Sequence, residues 1–399
     1  MTRKSTWFLM LALAGSGYVW WQTHGSDADD LGLPEMAEVR NAEIESKPVD
    51  PSQQATLELK VAVGDRFPLL KTVTQELTQF FGNESQTSRS ELQLLLSIAV
   101  EDIARTDRAH ILAGSRLMSV RYQSVRYSHD IAGEHVEYDS TMPQFPLPDS
   151  VQAYHGLVNN SFRFWLGPDN QIAQLVDFNE FLERCVRHVA VERRQEMFSY
   201  LTTNSGDNEV ANFIDDSIGL LPYKVNAKEQ RTVRIGDQWT RERQVFRPIP
   251  MFLTTNYMLT DVSDRFAQIT IVGDVTPARA FGPSRQPQSA VNVTILGGKS
   301  IGSCTIDRKT GLPMKSEIER HIVMNVNLGN GQEFSQRKRV VTIIRTFQQQ
   351  DAVPRSSGQK PDVIQASGDT AQSPAKATPK QLDPGQIKSA KPLPPPIAQ

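Results

Sequence analysis

The chain is poor in the residues from which metal and redox sites are built. Cysteine occurs only 2 times and histidine only 7 times in 399 residues. Cys185 and Cys304 match no zinc or redox spacing, and we predict buried, unpaired thiols, with a disulfide as the alternative in an oxidising compartment. The sequence therefore predicts no metal site and no cofactor.

The chain also lacks an excess of charge of either sign. Its 43 Lys and Arg residues oppose 45 Asp and Glu residues, which gives a formal net charge of −2. A protein that binds a polyanion usually shows a basic surplus, so we predict no nucleic-acid partner. The apolar content of 39% is low for a fully packed chain, which indicates that unstructured tails dilute a normal core.

Long apolar runs are missing except near the N-terminus. Arg3 and Lys4 precede an apolar run at residues 7–21, and positive charge before such a run keeps that end in the cytoplasm. The run is shorter than the ~20 residues of a spanning helix, and residues 12–14 have the A-x-A form of a cleavage site. We predict that residues 1–23 are a signal-anchor in the inner membrane, with a cleaved signal peptide as the alternative.

Both alternatives place the rest of the chain outside the cytoplasmic membrane. The anchor predicts a single-pass membrane protein with its body in the periplasm or extracytoplasmic space, and cleavage predicts secretion to the periplasm. Residues 24–55 are polar and predict a spacer. Residues 348–399 are rich in Pro, Ser, Gln and Lys and predict a disordered tail.

Residues 56–347 are predicted to form a single strand-rich body. Leu57, Leu59 and Val61 alternate with polar or small residues, and the same period of two recurs along most of this region. Short turn signals of Gly, Asp, Asn and Pro separate the alternating segments. This pattern is typical of antiparallel strands.

A helical insert at residues 177–222 interrupts the strands. Asp177 and Glu180 have the spacing of a capping box. One apolar stripe with helical spacing follows, and a second helix is predicted near residues 210–221. The stripe consists of Phe178, Phe181, Leu182, Cys185, Val186 and Val189.

Because an amphipathic helix must pack its apolar face on a partner, the insert predicts helices that cover a sheet. The predicted fold is α+β: a curved, mainly antiparallel sheet, half-barrel or sandwich-like, with a central helical pair packed on one face. If that contact leaves a cavity, its lining is predicted to be Phe178, Phe181, Leu182 and Val186.

The one tempting catalytic motif is G-x-S-x-G at residues 298–302, centred on Ser300. In an α/β-hydrolase this turn follows a strand and begins a helix. Here another strand pattern follows, so we predict a Gly/Ser-rich turn between strands and assign no catalytic residue. His129, Glu134 and His135 also fail, because neither zinc-protease spacing is present.

Several turn motifs together resemble a known family. VGDRF at residues 63–67, IGDQW at residues 235–239 and DRKTGLP at residues 307–313 occur in the order of a domain-of-unknown-function family of exported bacterial strand-rich proteins. The resemblance extends over about residues 57–347 and implies export but no particular activity. Members are often lipoproteins, and the absence of a cysteine after the apolar run is a departure from that pattern.

These patterns predict an exported, membrane-tethered bacterial envelope protein. Its predicted function is that of a non-catalytic binding module for an apolar molecule, such as a lipid, or for an envelope protein. The alternatives are a serine hydrolase that uses Ser300 and a structural scaffold that acts through its tail.

Overall fold

The computed structural model describes residues 54–108, 110–131, 133–204, 218–222, 232–245, 251–278, 292–328 and 332–347. All of them lie within the compact unit Met1–Gln350. The predicted signal-anchor, almost all of the predicted spacer and the predicted tail lie outside the described residues. Within these ranges no helix has both the length and the apolar character needed to cross a membrane.

The fold is dominated by one large antiparallel sheet of 12 strands. The strands, in chain order and including the short β1 and β8 that pair with each other, are β1 (Gln54–Thr56), β2 (Arg66–Phe81), β3 (Glu84–Ile103), β4 (Arg116–Ile131), β5 (Glu134–Asp139), β6 (Ser161–Leu166), β7 (Ile172–Val176), β8 (Thr232–Arg234), β9 (Gln238–Val245), β10 (Met251–Val262), β11 (Phe266–Pro277), β12 (Asn292–Asp307), β13 (Pro313–Asn327) and β14 (Glu333–Thr346).

The order of strands explains how the two strand-rich parts of the chain become one sheet. The order is β7-β6-β4-β3-β2-β14-β13-β12-β11-β10-β9, with β5 paired to β4. The last strand, β14, pairs with β2 along its length, so the end of the body returns to its beginning. The prediction of a mainly antiparallel sheet is confirmed. The described strands of this sheet form one continuous sheet that does not close into a barrel.

Alternate residues of the strands are buried, and we call the side on which they lie the inner face. On β3 the even-numbered residues from Leu92 to Val100 are buried, while the intervening residues are not. Successive side chains of a strand point to opposite faces, which is why a period of two in the sequence selects one face for the core.

Residues 54–61 form an extended segment that we call the strap. Leu57, Leu59 and Val61 are buried in the main core, as the alternation predicts, but beyond β1 the strap joins no strand ladder, so the prediction of a strand there is wrong. Single hydrogen bonds hold it: the Lys60 amide donates to the carbonyl oxygen of Thr310 at 2.7 Å, and the Arg116 Nη2 donates to that of Leu59 at 2.9 Å.

The described α-helices have 6, 8 and 14 residues. They are α1 (Gln152–Leu157), α2 (Phe178–Cys185) and α3 (Val191–Asn204), with 3-10 turns at Asp149–Val151, Val186–His188 and Ile218–Leu220. The insert begins where predicted, but a 3-10 turn and an extended residue divide its first helix. Most of the second predicted helix lies outside the described residues, and its end forms a 3-10 turn rather than an α-helix.

The predicted capping box is wrong. Asp177 adopts a left-handed conformation with φ 54° and makes no side-chain cap to α2. Its carboxylate instead accepts a hydrogen bond from the guanidinium of Arg163 on β6. The Asp177 carboxylate, which the capping-box pattern had assigned to the N-terminus of the helix, is therefore used by an ion pair with a neighbouring strand.

Candidate functional site

The four residues that we predicted as cavity lining lie together on α2 and the 3-10 turn that follows it. Phe181, Leu182 and Val186 are fully buried, and Phe178 is partly buried against them. α2 packs on α1 and β6. The predicted contact between the stripe and the sheet is present, and the lining of a cavity by these residues stays a prediction.

Aromatic rings fill the contact between α2 and the sheet. The ring centroid of Phe162 on β6 lies 5.1 Å from that of Phe181 and 5.4 Å from that of Phe178. Tyr122 on β4 stacks on Phe181 at 5.9 Å. Ring pairs at these separations add to the free energy gained by burial. We call β4, β6, α1 and α2 the aromatic half of the inner face.

The G-x-S-x-G motif lies in the middle of the continuous strand β12, so the predicted turn is wrong. A Cβ at Gly298 would overlap the backbone of His321, and one at Gly302 would overlap that of Glu317, both on β13. Glycine is required here because the neighbouring strand approaches closely. The motif thus serves the packing of two strands.

Ser300 also has none of the strand-turn-helix geometry of a hydrolase nucleophile. Its ladder neighbours are Gly273 on β11 and Arg320 on β13. The nearby His321 projects to the outer face, where its Nε2 lies 2.7 Å from Glu319. Because adjacent strand residues point to opposite faces, this histidine cannot act as a base for Ser300.

The two histidines of the rejected metal motif also diverge. His129 is buried on the inner face of β4, beside the hydroxyl of Tyr127 at 3.2 Å, and burial lowers its pKa. His135 is exposed and lies 2.6 Å from Asp130. Within the described ranges, no group of three or more His, Cys, Asp or Glu side chains is arranged to hold a metal ion.

The two cysteines are buried and unpaired, as predicted, and the alternative of a disulfide between them is wrong. Burial raises the pKa of each thiol to about 12. Since the thiolate is the reactive form, neither Cys185 nor Cys304 is suited to nucleophilic chemistry at neutral pH.

A small recess lies on the inner face at β9–β13, away from α2. Its volume is about 30 Å³, enough for one or two water molecules. The lining comprises Arg241, Arg243, Leu253, Thr255, Tyr257, Ile271, Ser300, Ile318 and Arg320. None of the four predicted lining residues contributes to it. We call these five strands the arginine half of the inner face.

Four polar residues of the recess lie in one row across the strands, and Arg243 lies outside this row, opposite Leu253. The ladders pair Arg241 with Thr255, Thr255 with Gly273, Gly273 with Ser300, and Ser300 with Arg320. Directly opposed residues on neighbouring strands lie within contact distance of each other. Five strands therefore bring residues that are far apart in sequence to one level of the sheet.

The floor of the recess depends on Gly273. A Cβ there would lie 3.2 Å from both the Ser300 Oγ and the Thr255 Oγ1. The two hydroxyls therefore flank a space that any larger residue would fill. Ser300 is only 4% exposed, and it lines the recess together with Thr255.

The inner face is strongly basic in this region. The inner positions of the described strands β2 and β9–β14 carry Lys71, Arg241, Arg243, Arg320 and Lys338, and no Asp or Glu. Burial and the neighbouring charge of Arg320 lower the pKa of Lys338 to about 7. Cations concentrated on a partly buried face create a positive potential there.

Sequence reasoning missed this row, although a signal was present. Arg241 and Arg243 share the strand phase of the apolar Trp239 and Val245, and Arg320 shares the phase of Ile318 and Ile322. A charged residue in the apolar phase of a strand points into the fold. Only the strand order, however, shows that the two groups meet.

No curated protein matches the chain. Similar solved structures include the translocator domain of the autotransporter NalP from Neisseria meningitidis (8% identity, TM-score 0.17, covering 72% of this chain and 90% of that one). Another is a putative outer membrane lipoprotein-sorting protein domain from Vibrio parahaemolyticus (8% identity, TM-score 0.12, covering 71% of this chain and 87% of that one). Scores this low establish no shared fold. Residues 113–313, half of the chain, match the family of unknown function DUF6263, and the chain belongs to that family.

Proposed function

We propose that the protein is a non-catalytic binding module of the bacterial cell envelope. In this proposal the inner face of the sheet, around the recess of the arginine half, holds a lipid or another envelope molecule. The observation that carries the proposal is a recess on the inner face that is lined by three arginines and by the hydroxyl residues Ser300 and Thr255. Polar groups that converge on a recess with apolar walls are typical of a ligand site.

The location in the envelope rests on the N-terminal pattern. Arg3 and Lys4 before the apolar run at residues 7–21 support export with the N-terminus held at the inner membrane. The polar spacer would then separate the binding body from the membrane surface.

The non-catalytic part of the proposal rests on the nucleophiles of the described residues. Ser300 has no histidine on its own face of the neighbouring strands, and both thiols have a raised pKa. The hydrolase alternative therefore has no structural support at Ser300. The scaffold alternative depends on residues 348–399, which lie outside the described residues.

Native mass spectrometry tests the proposal. The full chain, purified from the envelope of its own host, should carry an additional mass that is lost on denaturation, because a held ligand dissociates when the fold is lost. A chain purified after unfolding and refolding without envelope extract is the matched control. Equal native and denatured masses, with no protein cross-linked to the body, would argue against a binding module.

A further inference from the structure

The recess combines three features that suit one kind of ligand group. Arg241, Arg243 and Arg320 bring guanidinium groups to its walls, and Ser300 and Thr255 bring hydroxyls to its floor. Guanidinium groups bind carboxylate and phosphate through paired hydrogen bonds, and a hydroxyl can donate a further one. Donors therefore converge on a small space.

The charge of the surrounding strands favours the same ligand group. The nearest basic neighbour is Lys338, which lies in the next row of the inner face, opposite Ile322. No carboxylate occupies an inner position of these described strands. At the described inner positions of these strands an anion would thus meet cationic side chains and no carboxylate.

The guanidinium groups need not be unpaired for this. The Arg241 Nη2 already donates to the carbonyl oxygen of Asp169 at 3.0 Å, which fixes the direction of that side chain. Arg241 makes a further contact as well, and with five N–H donors a guanidinium can keep contacts to the protein while it binds a ligand. Arg243 and Arg320 likewise make other contacts within the folded chain.

Apolar residues form the rest of the wall. Leu253, Ile271 and Ile318 line the recess beside the polar row, and a small apolar cluster that includes Val275 and Ile322 lies beyond it. A volume of about 30 Å³ holds one or two oxygen atoms of a head group but no long hydrocarbon chain. The geometry points to a head group in the recess with an apolar part outside it.

We propose that the recess binds the oxyanion of an amphipathic molecule, a carboxylate or phosphate group, between Arg241, Arg320 and the hydroxyls of Ser300 and Thr255. This proposal rests on the binding function proposed above and adds the chemical class of the ligand. Arg241 and Arg320 supply charge, and the hydroxyls at Gly273 fix the position of the oxygens.

Isothermal titration calorimetry of the full chain at low ionic strength tests the assignment. The probes are octanoate, 1-octanol and inorganic phosphate. We expect octanoate to bind at least about ten-fold more tightly than 1-octanol, because hydrogen bonds to a charged group contribute more than those to a neutral one. R320Q should weaken octanoate binding by about ten-fold or more. R345Q, which removes an exposed arginine from the outer face of β14, is the matched control.

A second variant keeps the test independent of the stability of R320Q. If circular dichroism shows that R320Q does not fold, the double variant S300A and T255V removes both floor hydroxyls without removing charge. It should also weaken octanoate binding, with no change in the R345Q control. Equal affinities for octanoate and 1-octanol, or unchanged octanoate binding in the folded variants, would overturn the oxyanion assignment.

The phosphate arm separates the two sources of the oxyanion. Competition by inorganic phosphate would support the site with a free anion as ligand, whereas octanoate binding without phosphate competition would support an amphipathic ligand. If R320Q still carries the additional ligand mass that the wild-type chain carries from the envelope, the proposed binding function is supported and the proposed oxyanion site is wrong. If the wild-type chain carries no additional mass and binds none of the probes, both proposals are wrong.

Discussion

The aromatic half and the arginine half lie on the same inner face of the same sheet, yet they are built differently. In the aromatic half, rings from Tyr122, Phe162 and Phe181 meet at separations of 5–6 Å and leave α2 firmly packed. In the arginine half, the row through Gly273 and Ser300 places polar groups around a recess. The comparison teaches that rings and a helix cover one part of the inner face, while another part keeps a polar row beside a small recess.

The largest expected effect distinguishes the two halves by stability. Phe181→Ala should lower the free energy of unfolding by about 3–5 kcal/mol, because it removes a fully buried ring and leaves a cavity. Ser300→Ala should change it by less than about 1 kcal/mol, because it removes one small hydroxyl beside a recess and no buried apolar group. Urea unfolding followed by circular dichroism measures both.

The control for the aromatic half is Phe145→Ala, since this ring is 70% exposed and should change stability by less than about 0.5 kcal/mol. A loss of several kcal/mol in Ser300→Ala would show that the arginine half is ordinary core. The distinction between the halves would then be wrong.

The strap contacts both halves, and a substitution at Gly311 tests how much the strap contributes to stability. β1 pairs with β8, which precedes β9, while the carbonyl of Leu59 accepts a hydrogen bond from Arg116 on β4. Gly311 has φ 73°, and a Cβ there would overlap the backbone of Glu58. Gly311→Ala should therefore cost about 1 kcal/mol for the backbone conformation and a further 1–3 kcal/mol for displacing the strap.

Gly82→Ala is the matched control, because Gly82 has φ 57° but nothing within 4 Å of its Cβ position. It should show the conformational cost alone. Hydrogen exchange gives a local measurement: the Lys60 amide, which donates to Thr310, should exchange faster in Gly311→Ala but not in Gly82→Ala. Equal effects of the two substitutions would mean that the strap does not constrain the fold.

The smallest expected effect concerns an ion pair on the outer face of β13 and β14, on the side opposite the cations of the inner face. On the outer face, Glu319 accepts hydrogen bonds from Arg339 at 2.6 and 3.1 Å, and this contact holds the pKa of Glu319 below its usual range. A depressed pKa in the folded state stabilises the protein above the unfolded pKa of ~4.3, and this stability is lost as the pH falls through the folded pKa. Glu319→Gln should cost less than about 1 kcal/mol at pH 7, because the pair is partly exposed.

Urea unfolding at pH 7 and pH 2 checks this, since the effect of Glu319→Gln should shrink at the lower pH as the wild-type carboxyl becomes protonated. A double-mutant cycle with Arg339→Gln isolates the coupling of the pair. An effect of Glu319→Gln that is as large at pH 2 as at pH 7 would exclude the ion pair as its cause.

Much of the fold could be predicted from local patterns, and the failures have physical causes. The period of two on β3 and the helical stripe at Phe181 each selected the correct buried side. The prediction of a strand at the strap was wrong because Leu57 and Leu59 alternate as in a strand, while their backbone forms almost no ladder hydrogen bonds. The prediction of a turn at Ser300 was wrong because a G-x-S-x-G motif does not reveal that the backbone of β13 lies against its glycines.

The sequence by itself determined the faces of the strands, the apolar stripe of the helical insert, the absence of a zinc or redox motif and the membership of an unknown-function family. These features are local, since each depends on the spacing of neighbouring side chains. The tertiary structure alone decided that Arg241, Gly273, Ser300 and Arg320 share one row, because strand order and register join residues that are distant along the chain.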